Sequence, residues 1–167
     1  MIRLFTAIEL PPDVRAELAG MAGGIPGARW VAEANLHLTV RFIGEVTPER
    51  ADELAAVLEE VTAPAFDLTL RGADCFSKGK KPGAVWVGVA PNDRLHLLHD
   101  RVESALVRAG EEPEKRRYTP HVTLARLKDT PRGRVQQFLS EHNLFRAGPF
   151  RVREFALYSS HLGKNGP

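Results

Sequence analysis

Two short and nearly identical motifs place the strongest constraint on this chain: His37-Leu38-Thr39-Val40 and His121-Val122-Thr123-Leu124. Successive side chains of a β-strand point to opposite faces, so the histidine and threonine of each motif share one face and the apolar pair shares the other. The two histidines are 84 positions apart (121 minus 37) in a chain of 167 residues. The pattern predicts two equivalent strands, each with apolar residues toward a core and a His–Thr pair facing away from it.

Turn residues and apolar periodicity predict an alternating order of strands and helices along the chain. Thr47 and Asn92 are predicted N-caps, and Gly44 and Gly110 are predicted to end a strand and a helix. The segment 72–83 is predicted to be a polar loop. Strands are predicted at 2–10, 36–43, 66–70, 84–90, 121–127 and 150–160, and helices are predicted to begin at Pro12, Pro48, Asp93 and Pro131.

The same order of strand, helix, motif strand, helix and strand occurs in both halves, which indicates a weak internal duplication. A chain of 167 residues is ordinarily one domain. We therefore predict an α+β fold in which residues 1–167 form a single domain of two interleaved lobes. Each lobe should contain antiparallel sheet and helices, the two should be related by a pseudo-two-fold, and the motif strands should meet at a cleft between them.

Composition narrows the class of protein without naming a ligand. Hydrophobic content of 43% and charged content of 26% are typical of globular proteins. The formal net charge of +2 permits a phosphate-bearing ligand but does not require one. Cys75 is the only cysteine, which excludes an internal disulfide and a thiolate metal site. Since the chain starts with a strand-like segment and lacks a run of about 20 apolar residues, we expect a soluble, cytoplasmic monomer with no membrane association.

Two imidazoles facing one another across a cleft can act as a general acid and a general base, because histidine titrates near pH ~6.5. Two threonine hydroxyls beside them can donate hydrogen bonds to charged oxygens. Such a set suits phosphoryl transfer without a metal: the base deprotonates the attacking water and the acid protonates the departing oxygen. A cyclic phosphate diester fits well, because opening its strained ring releases an alkoxide that needs a proton.

The paired motifs resemble those of the 2H phosphoesterase superfamily, and within it the bacterial and archaeal RNA 2′,3′-cyclic phosphodiesterases, historically called 2′-5′ RNA ligases. The resemblance extends over nearly the whole chain. Further segments carry it at 3–8, at 35–44, at 120–126 and at 155–158. Similar proteins usually continue into another strand after the segment that matches 163–167, so the resemblance implies an incomplete sheet edge here.

The resemblance implies hydrolysis of a 2′,3′-cyclic phosphate at an RNA 3′ end, leaving a 2′-phosphomonoester, without a metal or an organic cofactor. His37 would be the proton donor to the leaving oxygen and His121 the proton acceptor from water. Thr39, Thr123 and Arg126 would bind the phosphate. Substrates would be RNA 3′ ends or nucleotides that carry a 2′,3′-cyclic phosphate, and the family also joins 2′-5′ RNA ends in vitro.

Strand alternation predicts different faces for the candidate site residues that flank the two motifs. Arg126 lies five residues after His121, so strict alternation turns it to the opposite face unless the strand twists, bulges or ends nearby. Arg41 has the same parity as His37 and is a candidate second cation. Phe42 is a candidate to stack on a terminal base, with packing in the core as the alternative.

Three other functions stay open at this point. The motifs describe a phosphate site and not its surroundings, so the substrate could be another small cyclic nucleotide or a 2′-5′ oligonucleotide. The same cleft could belong to a non-catalytic module that binds RNA ends. His37 and His121 could instead be metal ligands, although two histidines with hydroxyls and no nearby carboxylate are a poor set for Zn²⁺.

Overall fold

A computed structural model of the protein describes residues 1–160, which form eight β-strands and four α-helices arranged as two antiparallel sheets. The predicted α+β class is confirmed. A single 3₁₀ turn in this part of the chain covers Glu33–Asn35. The elements are β1 (Ile2–Glu9), α1 (Pro12–Ala19), β2 (Arg29–Trp30), β3 (His37–Val46), α2 (Pro48–Glu59), β4 (Phe66–Lys78), β5 (Lys81–Val89), α3 (Asp93–Arg108), β6 (His121–Arg126), α4 (Arg132–His142), β7 (Arg146–Val152) and β8 (Ala156–Ser160).

The two motif strands lie in different sheets. The first sheet has the order β3-β1-β8, and the second has the order β2-β6-β5-β4-β7. Each motif strand pairs antiparallel with an earlier strand, and one α-helix lies between the two partners in the chain. Strand β3 pairs with β1, with α1 between them, and β6 pairs with β5, with α3 between them. The strand order of the two halves therefore matches around the motifs, as the predicted duplication requires.

The two halves exchange helices. Helix α1 comes from the first half of the chain but contacts β7 of the second sheet, whereas α3 comes from the second half and contacts β3 of the first sheet. Helix α2 packs on β1 and α3, and α4 packs on β4 and β5. One continuous cluster of buried apolar side chains joins both sheets, and it includes Leu38, Val40, Val122 and Leu124.

The predicted helix caps are confirmed. The Thr47 side-chain oxygen accepts a hydrogen bond from the Arg50 amide at 3.1 Å, and the Asn92 side-chain oxygen accepts one from the Leu95 amide at 3.0 Å. Each cap satisfies an amide that has no partner within the first turn of its helix. Helix α3 ends just before Gly110, whose φ of 101° is in the region that favours glycine.

The predicted loop at 72–83 is wrong. Strand β4 continues to Lys78 and β5 starts at Lys81, so this segment is the end of a long hairpin whose turn contains Gly79 at φ 63°. Cys75 pairs with Val85 across it. The hairpin carries polar and charged residues on exposed positions, and the sequence there lacks the apolar alternation by which half-buried strands are recognised.

Three further boundaries differ from the sequence predictions. The predicted strand at 150–160 is two strands, because β7 ends at Val152 in one sheet and β8 starts at Ala156 in the other. Gly44 does not close β3; it lies within the strand at φ 107°, next to a shift in pairing with β1. Strand β2, at two residues, is too short to show a periodicity.

The predicted incomplete sheet edge concerns residues 163–167, which lie outside the described part of the chain. Within residues 1–160, no helix is long and apolar enough to cross a membrane.

Candidate active site

The two motif histidines occupy equivalent places in their strands. His37 is the first residue of β3, and His121 is the first residue of β6. In both strands the histidine and threonine are half-buried, while the apolar residues between and after them are buried. Strands β3 and β6 contact each other across the two sheets. The predicted separation into a core face and a His–Thr face is therefore present in both motifs.

Each imidazole is held by the main chain two residues before it. His37 Nδ1 donates to the carbonyl oxygen of Asn35 at 2.7 Å, and His121 Nδ1 donates to the carbonyl oxygen of Thr119 at 2.6 Å. A carbonyl oxygen can only accept, so Nδ1 must carry a hydrogen in both rings. Nε2 is then the atom that gains or loses a proton, which fixes the same tautomer and the same reactive nitrogen in both histidines.

Aromatic side chains flank both imidazoles. The Phe5 ring stacks on His37 with 4.9 Å between centroids, and Tyr158 stacks in turn on Phe5 at 5.4 Å. At the second motif, the His121 ring contacts Phe76 edge-to-face, with 4.9 Å between centroids, and Trp86 at 5.4 Å. These rings restrict both imidazoles and remove water from one side of each.

The environment of His121 favours its neutral form. Burial lowers the pKa of His121 below its ordinary value of 6.5, and the charge of His37 lowers it further, whereas the hydrogen bond to Thr119 raises it. A neutral imidazole with a free Nε2 is the form that accepts a proton.

A β-bulge in β3 changes the direction of the residues after Thr39. Thr39 pairs with Ala7 and Arg41 pairs with Thr6, so β3 has one extra residue, Val40, opposite two consecutive residues of β1. Val40 and Arg41 are consequently both buried. The bulge reverses the parity on which the sequence-based placement of Arg41 depended.

Strand β6 has a bulge at the equivalent position. Thr123 pairs with Trp86 and Ala125 pairs with Val85, which leaves Leu124 as the extra residue. Leu124 and Ala125 are both buried, as Val40 and Arg41 are in β3. The two motifs thus share a bulge as well as their sequence pattern.

These bulges bring Arg126 and Phe42 to the faces of the motif histidines. Arg126 pairs with Ala84, which lies two residues from Trp86 and so on the face of Thr123. Phe42 follows its bulge in the same way, and it is 46% exposed. The bulge therefore turns Arg126 to the face of His121, as its predicted role in binding phosphate requires. The exposure of Phe42 contradicts the alternative in which its side chain packs in the core.

The structure contradicts Arg41 as a second phosphate-binding cation. Its side chain is 7% exposed and its guanidinium forms a two-point ion pair with Glu103 on α3, at 2.9 Å and 3.2 Å. The remaining donors reach the carbonyl oxygens of Phe42 and Glu112. The donors of Arg41 join β3 to α3 and to the chain that follows it, on the side away from the His–Thr face.

Three residues near the site were not identified from the sequence. Phe76 lies in the segment predicted to be a loop, and Trp86 lies in the predicted strand at 84–90, where nothing marked it as a site residue. Arg29 of β2 pairs directly with Arg126 and is exposed on the same face. Only the strand pairing, which the sequence pattern does not show, could have placed these three beside the motifs.

The donors and acceptors of the site suit acid–base chemistry on a phosphate ester. Two Nε2 atoms can exchange protons, two threonine hydroxyls can donate to non-bridging oxygens, and Arg126 supplies a positive charge. Within residues 1–160, no three His, Cys, Asp or Glu side chains lie close enough together to hold a metal ion.

Comparison with known proteins places the chain in a family. A family model described as the 2′-5′ RNA ligase superfamily matches residues 10–164. The chain belongs to this superfamily. Two relatives named RNA 2′,3′-cyclic phosphodiesterase support the assignment. The Aeropyrum pernix protein is 36% identical over 146 residues (86% of this chain, 82% of the relative), and the Escherichia coli K12 protein is 35% identical over 128 residues (74% and 71%).

A solved member of the 2′-5′ RNA ligase superfamily has the same fold. The crystal structure of E. coli LigT complexed with 3′-AMP matches with a TM-score of 0.74 and 29% identity, covering 97% of this chain and 90% of that one. The match extends over nearly the whole chain, so the fold that positions the two motifs is shared with that protein.

Proposed function

We propose that this protein hydrolyses 2′,3′-cyclic phosphate ends of RNA to 2′-phosphomonoesters. The observation that carries the proposal is the mirrored anchoring of His37 and His121, each with Nδ1 on a carbonyl oxygen and Nε2 free. Acid–base catalysis on one phosphorus needs one proton acceptor and one proton donor, and this pair supplies both. The names of the relatives supply the substrate class.

In the proposed mechanism, His121 is the base. Its lowered pKa keeps Nε2 unprotonated, so it takes a proton from water as the water oxygen bonds to phosphorus. His37, protonated at Nε2, gives its proton to the ribose 3′ oxygen as the bond from phosphorus to that oxygen breaks. The phosphate remains on the 2′ oxygen. Proton exchange with solvent then restores both imidazoles.

Three side chains would hold the phosphate during this step. The Thr39 and Thr123 hydroxyls would donate to the non-bridging oxygens from opposite sides, and Arg126 would balance the charge that develops on them. Phe42, exposed at the equivalent place on the other motif strand, would stack on the terminal base. If an RNA 5′-hydroxyl replaces water as the attacking group, the same step yields a 2′-5′ phosphodiester, which accounts for ligation.

We also propose that the enzyme acts in the cytoplasm as a monomeric single domain over residues 1–167. The exchange of α1 and α3 and the continuous core support one cooperative unit. The single cysteine suits a reducing compartment.

The test is the product formed from a synthetic oligonucleotide that ends in a 2′,3′-cyclic phosphate. The wild-type protein should form a 2′-monoester, detected by mass and by the position of the phosphate. His37→Ala and His121→Ala should each lower the rate by roughly 10²–10⁴, and the double variant should be far from additive. His142→Ala, on α4, is the matched control and should keep the wild-type rate.

Other results would redirect the assignment. A 3′-monoester would reverse the leaving group, and tight binding without product would indicate an RNA-end-binding module. Wild-type turnover by either motif variant would overturn acid–base catalysis by this pair.

A further inference from the structure

Two arginines face each other across neighbouring strands of the second sheet. Arg71 of β4 pairs directly with Arg146 of β7, and both are exposed. Like charges that lie directly opposite in a sheet are destabilising. Four residues earlier on β4, the same two strands place Asp67 opposite Arg151 and form an ion pair at 3.3 Å. The like-charged pair therefore departs from the pattern of its own strands.

Neither arginine of this pair is neutralised within residues 1–160. No ion pair joins Arg71 or Arg146 to an acidic side chain in that part of the chain. Asp74 is the nearest acid along β4, and its carboxylate accepts a hydrogen bond from the Cys75 amide at 2.8 Å. Two exposed guanidiniums held side by side without a carboxylate are suited to binding anions.

The pair lies on the same face of the sheet as His121. Arg71 is directly opposite Gly88 of β5, and Gly88 is directly opposite His121 of β6. Residues directly opposite each other in a sheet project to the same face, so Arg146, Arg71, Gly88 and His121 form one row. With strands about 4.8 Å apart, Arg71 lies about 10 Å from His121 along this row and Arg146 about 14 Å.

A glycine and an aromatic ring, with no charged side chain in the row, lie between the arginines and the imidazole. Gly88 has no side chain, and the edge of the Trp86 ring lies beside it, 3.3 Å from the place that a Cβ would take. Helix α4 packs on the opposite face of β4 and β5, where Val135 and Phe138 are buried in the core. A chain lying along the row would meet the active site at one end and two positive charges at the other.

We propose that Arg71 and Arg146 bind the phosphodiester groups that precede the terminal nucleotide of the RNA substrate. This inference rests on the proposed function, and it adds a direction: the RNA leaves the active site across β5 and β4 toward β7. The pair holds the backbone and makes no base contact, so it favours a polynucleotide over a mononucleotide whatever its sequence.

The test compares two substrates that share the reacting group. One is an oligonucleotide ending in a 2′,3′-cyclic phosphate, and the other is a nucleoside 2′,3′-cyclic phosphate, which has no preceding phosphodiester. Arg71→Glu and Arg146→Glu should each lower the oligonucleotide-to-nucleoside ratio of kcat/KM by roughly tenfold. Each should also flatten the dependence of log(kcat/KM) for the oligonucleotide on log[salt] by about 0.7, the value for one phosphate contact on a single strand.

The matched control is Arg134→Glu, an exposed arginine on α4, which covers the other face of the sheet. It makes the same charge change and should leave the ratio unaltered. A stability measurement separates binding from structure, because Arg71→Glu places opposite charges across β4 and β7. Its Tm should therefore stay at or above the wild-type value even though its preference for the oligonucleotide falls.

Two outcomes would overturn this inference. One is a ratio within twofold of wild type for both variants, and the other is a fall in Tm for Arg71→Glu with an unchanged ratio, which would make the pair structural. In either case, loss of activity in His121→Ala on both substrates would leave the proposed function standing. Full activity of His121→Ala on the nucleoside would overturn the proposed function itself.

Discussion

The Tyr118 hydroxyl donates a hydrogen bond to the main-chain carbonyl oxygen of Thr39 at 2.8 Å. Tyr118 lies three residues before His121, so this bond joins the approach to one motif strand to the backbone of the other. The Tyr118 ring also stacks face to face on His99 of α3, with 4.0 Å between centroids. Burial raises the pKa of Tyr118, which keeps its phenol protonated and able to donate. A side chain outside both motifs therefore links the two motif strands directly.

Removing this bond should disturb both folding and catalysis. Tyr118→Phe keeps the stacked ring but leaves the Thr39 carbonyl without its donor, which should lower the free energy of unfolding by about 1–3 kcal/mol. Because the bond positions the two motifs relative to each other, kcat per folded molecule should fall while KM changes little. Urea unfolding and steady-state kinetics on the same preparation measure both. Wild-type values of both would show that the two motifs are positioned without this bond.

Activity and stability should both depend on the titration of His121. Its pKa is lowered, so the acidic limb of the kcat/KM profile should lie below pH 6.5, where an ordinary histidine would already be protonated. Between the lowered pKa and 6.5 the unfolded chain binds more protons at this position than the folded one, so the free energy of unfolding should fall as the pH falls through that range.

His121→Asn should remove this part of the pH dependence of unfolding, measured by urea titrations at several pH values. NMR titration of the imidazole gives the pKa directly. Because the charge of His37 contributes to the lowering, His37→Gln should raise the pKa of His121. A His121 pKa at or above 6.5 in the wild-type protein would contradict both expectations.

Arg126 should be needed for the chemical step. Arg126→Ala removes the cation that the bulge at Leu124 turns toward the Thr123 face, and kcat/KM should fall by about 10²–10³, as for loss of one donor to a developing oxyanion. Arg126→Lys restores the charge without the planar fork and should recover part of the loss. Assays with a nucleoside cyclic phosphate isolate this effect from RNA length. Activity near wild type in Arg126→Ala would place the phosphate elsewhere.

Arg41 should matter for stability and not for the chemistry. Arg41→Leu leaves Glu103 without its partner at the edge of the core and should cost about 3 kcal/mol of unfolding free energy. Arg41→Leu combined with Glu103→Leu removes both charges and should cost much less, since neither is then left unpaired. Chemical denaturation of the three proteins measures this, and kcat per folded molecule should be unchanged. A catalytic loss in the stable double variant would contradict the structural role.

The motif strands and the helix caps could be predicted because each depends on residues close together in sequence. Alternation places Leu38 and Val122 inward, and Thr47 and Asn92 cap helices through amides three residues ahead. The two bulges depend instead on how β3 pairs with β1 and β6 with β5. One extra residue in a strand leaves no local mark in the sequence, which explains why the parity argument held as far as Thr39 and failed at Arg41.

The aromatic surroundings of the histidines were missed for a related reason. Phe76 is 41% exposed on the far part of a hairpin whose neighbours are lysine, serine and glycine, a composition typical of loops. Its strand is stabilised by pairing with β5 rather than by burial of an apolar face. The same holds for Arg29, which lies in a two-residue strand that is formed by pairing with β6.

The crossing of α1 and α3 between the two halves has a consequence for how the catalyst assembles. If the chain were cut between α2 and β4, the first fragment would lose α3, which packs on β3, and the second would lose α1, which packs on β7. Each sheet that carries a motif histidine is therefore completed by a helix from the other half of the chain, which couples the folding of the two halves. Moving the two lobes apart to admit RNA would expose the apolar core that they share, so we expect the cleft to bind RNA without opening.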